Sequence, residues 1–262
     1  MQFKLRAGVQ TYTSACASSA LAIGEAMRAI RHGYADQVLV GGVESPFGGG
    51  TMKAWESMRV LAPVCDPLEA ACRPFDRSRR GLVLGEGAAF LVLEEKLTAL
   101  QRGARIYGKL AGFGVSSDAH HWTEPSSAGQ IAAMQAALQD AGIAAKDVVA
   151  VNAHGTATPT GDRVELTSLA AVFDSHRVPV SSTKSVHGHL LGASGAIELA
   201  ACLVSLHRET VPQTRHLDDP EAHEHIHLVR GTPHRLAKPG WMLSNSFAFG
   251  GSNACLVVGP AH

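Results

Sequence analysis

Apolar residues along this chain follow two rhythms. Ala20, Ile23, Met27 and Ile30 recur at helical spacing, and Gly33 supplies a stop, so a helix is predicted just after Cys16. A second amphipathic helix is predicted over 128–141, closed by Gly142. A third follows the small-residue run Gly192-Ala193-Ser194-Gly195 and continues through Glu198 to Leu206. Shorter helices are predicted at 52–58 and 94–102. Between them lie segments of strand length, at 9–13, 37–42, 87–93, 106–113, 148–151, 178–180 and 254–258, several of them largely apolar. The runs at 9–13 and 37–42 read as buried strands with a helix between them, which predicts parallel pairing. Residues 241–245 and 254–258 flank a glycine-rich loop and read as a hairpin. Strands alternating with helices predict an α/β architecture.

Composition narrows the function. With 262 residues, 45% of them hydrophobic, the chain can build a large core as one large or two small domains. A formal net charge of zero gives no electrostatic pull toward nucleic acid or an anionic membrane. No apolar run reaches membrane-spanning length, and the first residues lack a basic-then-apolar signal pattern. The five cysteines are odd in number and show no paired metal-type spacing, which predicts free thiols in a reducing cytoplasm.

Polar chemistry gathers where strands end, the usual place for catalytic groups in α/β sheets. Cys16 stands among small residues at a predicted helix start, where unpaired N–H groups and the helix dipole favour a thiolate. A buried structural thiol is the plain alternative. Asn152-Ala153-His154-Gly155-Thr156-Ala157-Thr158 follows one strand, and Lys184, His187 and His189 crowd the turn after another. Gly85-Glu86-Gly87 is followed by a strand and no Lys-Ser/Thr, which argues against a nucleotide cradle. Asp118, His120 and His121 have ligand chemistry, but hydrogen-bonded loop histidines are the simpler reading. Residues 216–227 carry four histidines, with His225 and His227 alternating as on the open face of a strand, yet no ordered ligand set is evident. A cysteine nucleophile, a histidine pair, a lysine and a glycine-rich donor loop together suggest acyl transfer through a thioester.

These motifs, in this order, resemble a known family. They are the Cys16 segment, Arg73-Pro74-Phe75-Asp76 with Gly85-Glu86-Gly87-Ala88, Asn152 to Thr158, Lys184 to His189 with Gly192-Ala193-Ser194-Gly195, and Asn245-Ser246-Phe247-Ala248-Phe249-Gly250-Gly251. The chain is similar to the decarboxylating β-ketoacyl-[acyl carrier protein] synthases of the Cys-His-His type, in the thiolase superfamily. The resemblance implies a thiolase-like fold, with mixed five-stranded sheets between helices and the first half incomplete. Residues 1–103 are then the remainder of the half carrying the nucleophile, and 104–262 the half carrying the histidines and lysine. It implies that Cys16 takes the acyl chain and that His154 and His189 stabilise the enolate left by CO2 loss. Lys184 holds His189, and Thr156 and Thr158 bind a phosphopantetheine arm. Backbone N–H groups of Cys16 and Phe249 form the oxyanion hole, with Phe249 also gating the pocket. It implies an acyl carrier protein as partner, a homodimer or heterodimer, no required cofactor and a structural cation at Asn152, Glu198, Ser244 and Asn245. A full synthase is longer, and the resemblance puts the missing part before Cys16. The alternative is an inactive truncated remnant or a non-catalytic partner subunit, although such subunits typically lack the cysteine. Thiolases and CoA-primed initiating synthases fit less well, because thiolases lack the Lys184–His189 motif and the initiating enzymes use asparagine where His189 stands. Arg80 and Ala248 depart from the acidic residue and glycine common in relatives.

Overall fold

The computed structural model describes residues 5–174, 176–221 and 223–261. Its elements run α1 (Ser18–Arg31), β1 (Gln37–Glu44), α2 (Gly49–Ser57), β2 (Gly87–Glu94), α3 (Lys96–Gln101), β3 (Lys109–Ser117), α4 (Ser127–Ala141), β4 (Val148–Asn152) and α5 (Pro159–Val172). They continue with β5 (Val178–Ser181), α6 (Lys184–His187), α7 (Ser194–Arg208), β6 (Thr210–Val211), β7 (Ile226–Leu228), β8 (His234–Arg235), β9 (Trp241–Ala248) and β10 (Ser252–Gly259).

Six strands form one mixed sheet in the order β3-β10-β9-β4-β5-β7. The connections explain the mixture. A tight turn joins β9 to β10, so they pair antiparallel, and β3 adds antiparallel to β10. A helix separates β4 from β5, so those strands pair parallel, as do β4 with β9 and β5 with β7. The expected five strands become six because the short β7 adds beyond β5.

Helices cover both faces of this sheet. Along β10, Cys255 and Val257 join the core formed with α4 and α5, while Ala254, Leu256 and Val258 join the core formed with α1 and α7. That is the period of two expected of a strand covered on both sides. α1 and α7 approach closely because Gly195 has no side chain: a Cβ there would lie 2.8 Å from the Ala20 backbone nitrogen.

β1 and β2 form a separate antiparallel ribbon outside α1 and α7. Val38, Ala89, Leu91 and Leu93 turn toward those helices, while Leu39, Val43, Phe90 and Val92 are exposed. The layers are therefore α4 and α5, the six-stranded sheet, α1 and α7, then the ribbon. Two sequence expectations fail here. The run at 37–42 pairs antiparallel with β2 and is covered on one face only. The run at 9–13 forms no strand, and Val9 is 93% exposed. A strand forms only where a neighbouring backbone pairs with it, and residues 9–13 find none among the described residues.

Candidate active site

Cys16 sits two residues before α1, on a turn where Ala15 adopts a left-handed φ of 44°. Ser18 holds that turn by accepting from the Ser14 N–H at 2.8 Å and donating to the Ala15 carbonyl at 2.7 Å. The Cys16 Sγ lies 3.0 Å from His189 Nε2, and the backbone N–H groups of Phe249 and of Cys16 itself pull its thiol down. The expected ready thiolate is not what the environment favours. Burial pushes the thiol up to about 11, with Lys184 and the two N–H groups only partly opposing it. Position near a helix start is visible in the sequence, whereas the dryness of the site is a tertiary property.

His154 lies in the loop between β4 and α5, which two buried carboxylates shape. Glu165 accepts the N–H groups of His154 and Gly155 at 2.8 and 2.7 Å, and Asn245 Nδ2 at 3.2 Å. Asp162 accepts the N–H groups of Phe75 and Ala157 at 2.7 and 3.1 Å and lies 3.5 Å from Arg79. Gly155 has a φ of +33°, and a Cβ there would meet Ser182 at 2.7 Å. Sequence reasoning named neither carboxylate as a site residue. Their signal was two acids three positions apart in the first turns of a helix that directly follows the histidine loop.

His189 follows the short α6 and Gly188, whose φ is +73°. Its backbone is clamped to residues 83–85, donating to the Val83 carbonyl at 2.7 Å and accepting from the Gly85 N–H at 2.9 Å. The glycines near 85 thus serve packing. Its Nδ1 lies 3.0 Å from Ser194 Oγ. The His154 and His189 rings sit 5.3 Å apart at 84°. Burial, and then the Lys184 charge, hold both histidines well below their ordinary value, so both are neutral at physiological pH. Lys184 itself is fully buried. Its ammonium donates to Glu198 and to His154 Nδ1, the latter at 3.4 Å, and not to His189 as the resemblance implied. His187 is a structural histidine, bonded to Thr183 Oγ1 and the Gly188 carbonyl.

These groups open into a cleft of about 380 Å³ lined by Thr156, Thr158, Phe249 and Trp55 among others. The two threonine hydroxyls lie 3.0 Å apart. Phe249 stacks on Trp55 at 6.2 Å and 28°. Trp55 was not singled out, because nothing in α2 marks it as reaching a loop nearly two hundred residues later. Two loops close over the mouth: Gly250 donates to the Trp122 carbonyl at 2.7 Å, and Asn253 Nδ2 to Asp118 Oδ1 at 2.7 Å. His121 Nδ1 accepts from the Thr123 and Glu124 N–H groups, the loop role that the sequence favoured.

Among the described residues, Cys16, His154 and His189 are the one group whose ligand atoms all lie within 4.8 Å of one another. The histidine-rich segment offers pairs only, such as His227 and His234 at 5.1 Å. The residues offered for a structural cation do not fit one through their side chains. Glu198 already carries the Lys184 ammonium, and Asn245 is used at both ends, by Glu165 and by the Cys255 thiol. Only Glu198 Oε2 is left as a buried, unpartnered side-chain oxygen in that group, and Asn152 Nδ2 is likewise buried and unpartnered. All five cysteines are free, and no described helix is long and apolar enough to cross a membrane.

Comparison with known proteins agrees with this geometry. Residues 1–99 match the family model "Beta-ketoacyl synthase, N-terminal domain", and residues 107–218 match "Beta-ketoacyl synthase, C-terminal domain". The chain is 44% identical to Nodulation protein E of Rhizobium sp. (strain N33) over 259 residues, 98% of this chain and 63% of the relative. It is 40% identical to 3-oxoacyl-[acyl-carrier-protein] synthase 2 of Vibrio cholerae, over 94% of this chain and 60% of the relative. A crystal structure of a β-ketoacyl synthase from Burkholderia phymatum superposes with a TM-score of 0.90 at 39% identity, covering 95% of this chain and 60% of that one. The complex AntDE:AntF, a type II PKS acyl-carrier protein with its ketosynthase bound to the hexaketide, gives 0.92 at 29% identity, covering 97% and 63%. The fold is thus thiolase-like. The chain spans about three-fifths of the length of these curated relatives.

Proposed function

The chain belongs to the β-ketoacyl synthase family, and from that premise we propose that it carries the centre for decarboxylative condensation. The observation that carries this reading is the buried cluster of Cys16 Sγ, His154 and His189, with His189 Nε2 3.0 Å from the sulfur. Residues 1–103 supply the nucleophile and 104–262 the histidines and lysine.

Cys16 attacks an acyl thioester, and the oxyanion settles between the N–H groups of Cys16 and Phe249. Collapse expels the carrier thiol, which leaves with the proton that Cys16 gives up. A malonyl thioester then binds with its carbonyl oxygen toward His154 and His189. Its bond to the carboxylate breaks, CO2 departs, and the electron pair becomes an enolate held by the imidazole N–H groups. The enolate carbon attacks the acyl group on Cys16, the carbon–sulfur bond breaks, and the Cys16 thiolate takes one proton from water. Lys184 raises the local potential without leaving its bonds to Glu198 and His154.

The reading brings an acyl carrier protein to the cleft, its phosphopantetheine arm passing Thr156 and Thr158, and Phe249 against Trp55 as the gate. AntDE:AntF, an acyl-carrier protein with its ketosynthase, and a ketosynthase/chain length factor pair among the structural neighbours support such partners. We place a second synthase-type chain beside this one, in the cytoplasm. The chemistry requires no cofactor of the chain's own.

The test is mass spectrometry of the chain after incubation with an acyl-carrier-protein thioester, followed by release of labelled CO2 from malonyl-carrier protein. An acyl adduct that Cys16→Ser removes, with CO2 release that His154→Ala abolishes, is the expected result. A folded chain that takes no adduct overturns the reading.

A further inference from the structure

We infer that Ser194 is a positioning residue that fixes His189 as the tautomer with its proton on Nε2; the mechanistic part of this rests on the condensation reading. Ser194 Oγ and His189 Nδ1 lie 3.0 Å apart, and both residues are buried. Two arrangements are open to this pair. In one, Nδ1–H donates to the hydroxyl oxygen. The hydroxyl hydrogen then has no acceptor, because Ser194 Oγ has no other hydrogen-bond partner among the described residues. A buried hydroxyl left in that state is costly. In the other, the hydroxyl donates to Nδ1, and Nε2–H faces the Cys16 sulfur at 3.0 Å. The only donor then left spare is a thiol S–H, which is a weak one. The second arrangement satisfies the stronger groups.

The surroundings agree. The Phe249 and Cys16 N–H groups pull the Cys16 thiol down, and Nε2–H, 3.0 Å from the same sulfur, acts in the same sense. The neighbouring imidazole is held in the same way by a different group: the Lys184 ammonium has only donors to offer, so His154 Nδ1 accepts and its proton sits on Nε2. Ser194 therefore does for His189 what Lys184 does for His154. The result is two neutral rings 5.3 Å apart, each carrying its proton on the nitrogen remote from its anchor. An enolate oxygen needs such N–H donors, whereas a general base or a metal ion would need the Nε2 lone pairs.

Ser194 is well placed for a clean test. It is the first residue of α7 but makes no side-chain capping bond, so removing its hydroxyl leaves the helix end as it was. Histidine labelled with 15N and read by long-range 1H–15N correlation distinguishes the two neutral tautomers, with His189 assigned by its absence in His189→Gln. The expected spectrum has His189 protonated on Nε2. In Ser194→Ala the Nδ1–H form becomes populated, while Ser194→Thr, which keeps the hydroxyl, restores the original pattern. In the coupled assay, Ser194→Ala slows CO2 release about tenfold, the effect of one hydrogen bond at the barrier, and changes Cys16 acylation less than about twofold. A wild-type spectrum showing Nδ1–H, or an unchanged tautomer in Ser194→Ala, overturns the inference. The spectrum is read without any turnover, so an inactive chain would count against the condensation reading and not against Ser194.

Discussion

The six-stranded sheet and the β1–β2 ribbon are built from similar strings of residues and have different fates. β10, Ser-Asn-Ala-Cys-Leu-Val-Val-Gly, is buried from Asn253 to Gly259, whereas β2, Gly-Ala-Ala-Phe-Leu-Val-Leu-Glu, alternates between half-covered and exposed positions. Helices lie on both faces of the sheet and on only one face of the ribbon. The difference is one of cover, not of strand propensity. It also separates function: Cys16 stands just before α1, His154 and Lys184 just after β4 and β5, and His189 just before α7. A low dielectric there makes the Lys184 charge felt by Cys16, His154, His187 and His189.

If cover is the deciding quantity, the largest losses follow from exposing charge on the covered side. Lys184→Met leaves Glu198 buried without its ammonium, and should cost about 3–5 kcal/mol in urea unfolding. Lys184→Met combined with Glu198→Gln should recover part of that loss. No recovery in the double variant would mean that the pair is not coupled. Next comes packing. Leu256 is fully buried in the α1 and α7 core, and Leu256→Ala should cost about 2–5 kcal/mol with an unchanged slope against urea. A loss below about 1 kcal/mol would mean that this side of the sheet is less tightly covered than the structure has it.

The same contrast was only partly visible in the sequence. Helical spacing located α1 and α4, and the Gly250-Gly251 turn located the β9–β10 hairpin, because those signals are local. Cys16, His154, Lys184 and His189 stood out because small residues and glycines bracket them. What could not be read is what depends on distant partners. Glu165 and Asp162 matter through backbone groups they accept, one of them Phe75 N–H from 87 residues away. Lys184 was assigned to the nearer histidine in sequence, and spatially it serves His154, 30 residues earlier. The apolar runs at 37–42 and 87–93 predicted strands correctly and burial incorrectly, since a run of apolar residues does not reveal how many layers will cover it.

Titration sharpens the contrast at smaller energies. Burial raises Cys16 to about 11 and Cys72 and Cys202 to about 12, from an ordinary 9.0. A thiol raised in the folded state keeps its proton where the unfolded chain has lost it. Stability from these groups is therefore complete below pH 9.0 and falls as pH rises through the folded values. Each thiol should cost up to about 1.4 kcal/mol per pH unit above that point. Urea midpoints at increasing alkaline pH should fall, and Cys202→Ala should flatten the slope. A midpoint that stays level would mean that water reaches these thiols.

The smallest effect belongs to the ribbon and is the most direct test of the comparison. Val92 stands opposite Leu39 on the outer face, 57% exposed. Val92→Thr keeps the β-branched shape and adds a hydroxyl that water can satisfy there, so stability should change by no more than about 0.5 kcal/mol. The same exchange at Val257, which is fully buried in the sheet, places a hydroxyl among Leu243, Cys255 and the α4 and α5 side chains and should cost about 1–3 kcal/mol. The two substitutions are chemically identical, so urea unfolding of the pair isolates cover from propensity. Equal losses at the two positions would mean that the outer face of the ribbon is as dry as the sheet, and that the two regions differ in something other than the layers above them.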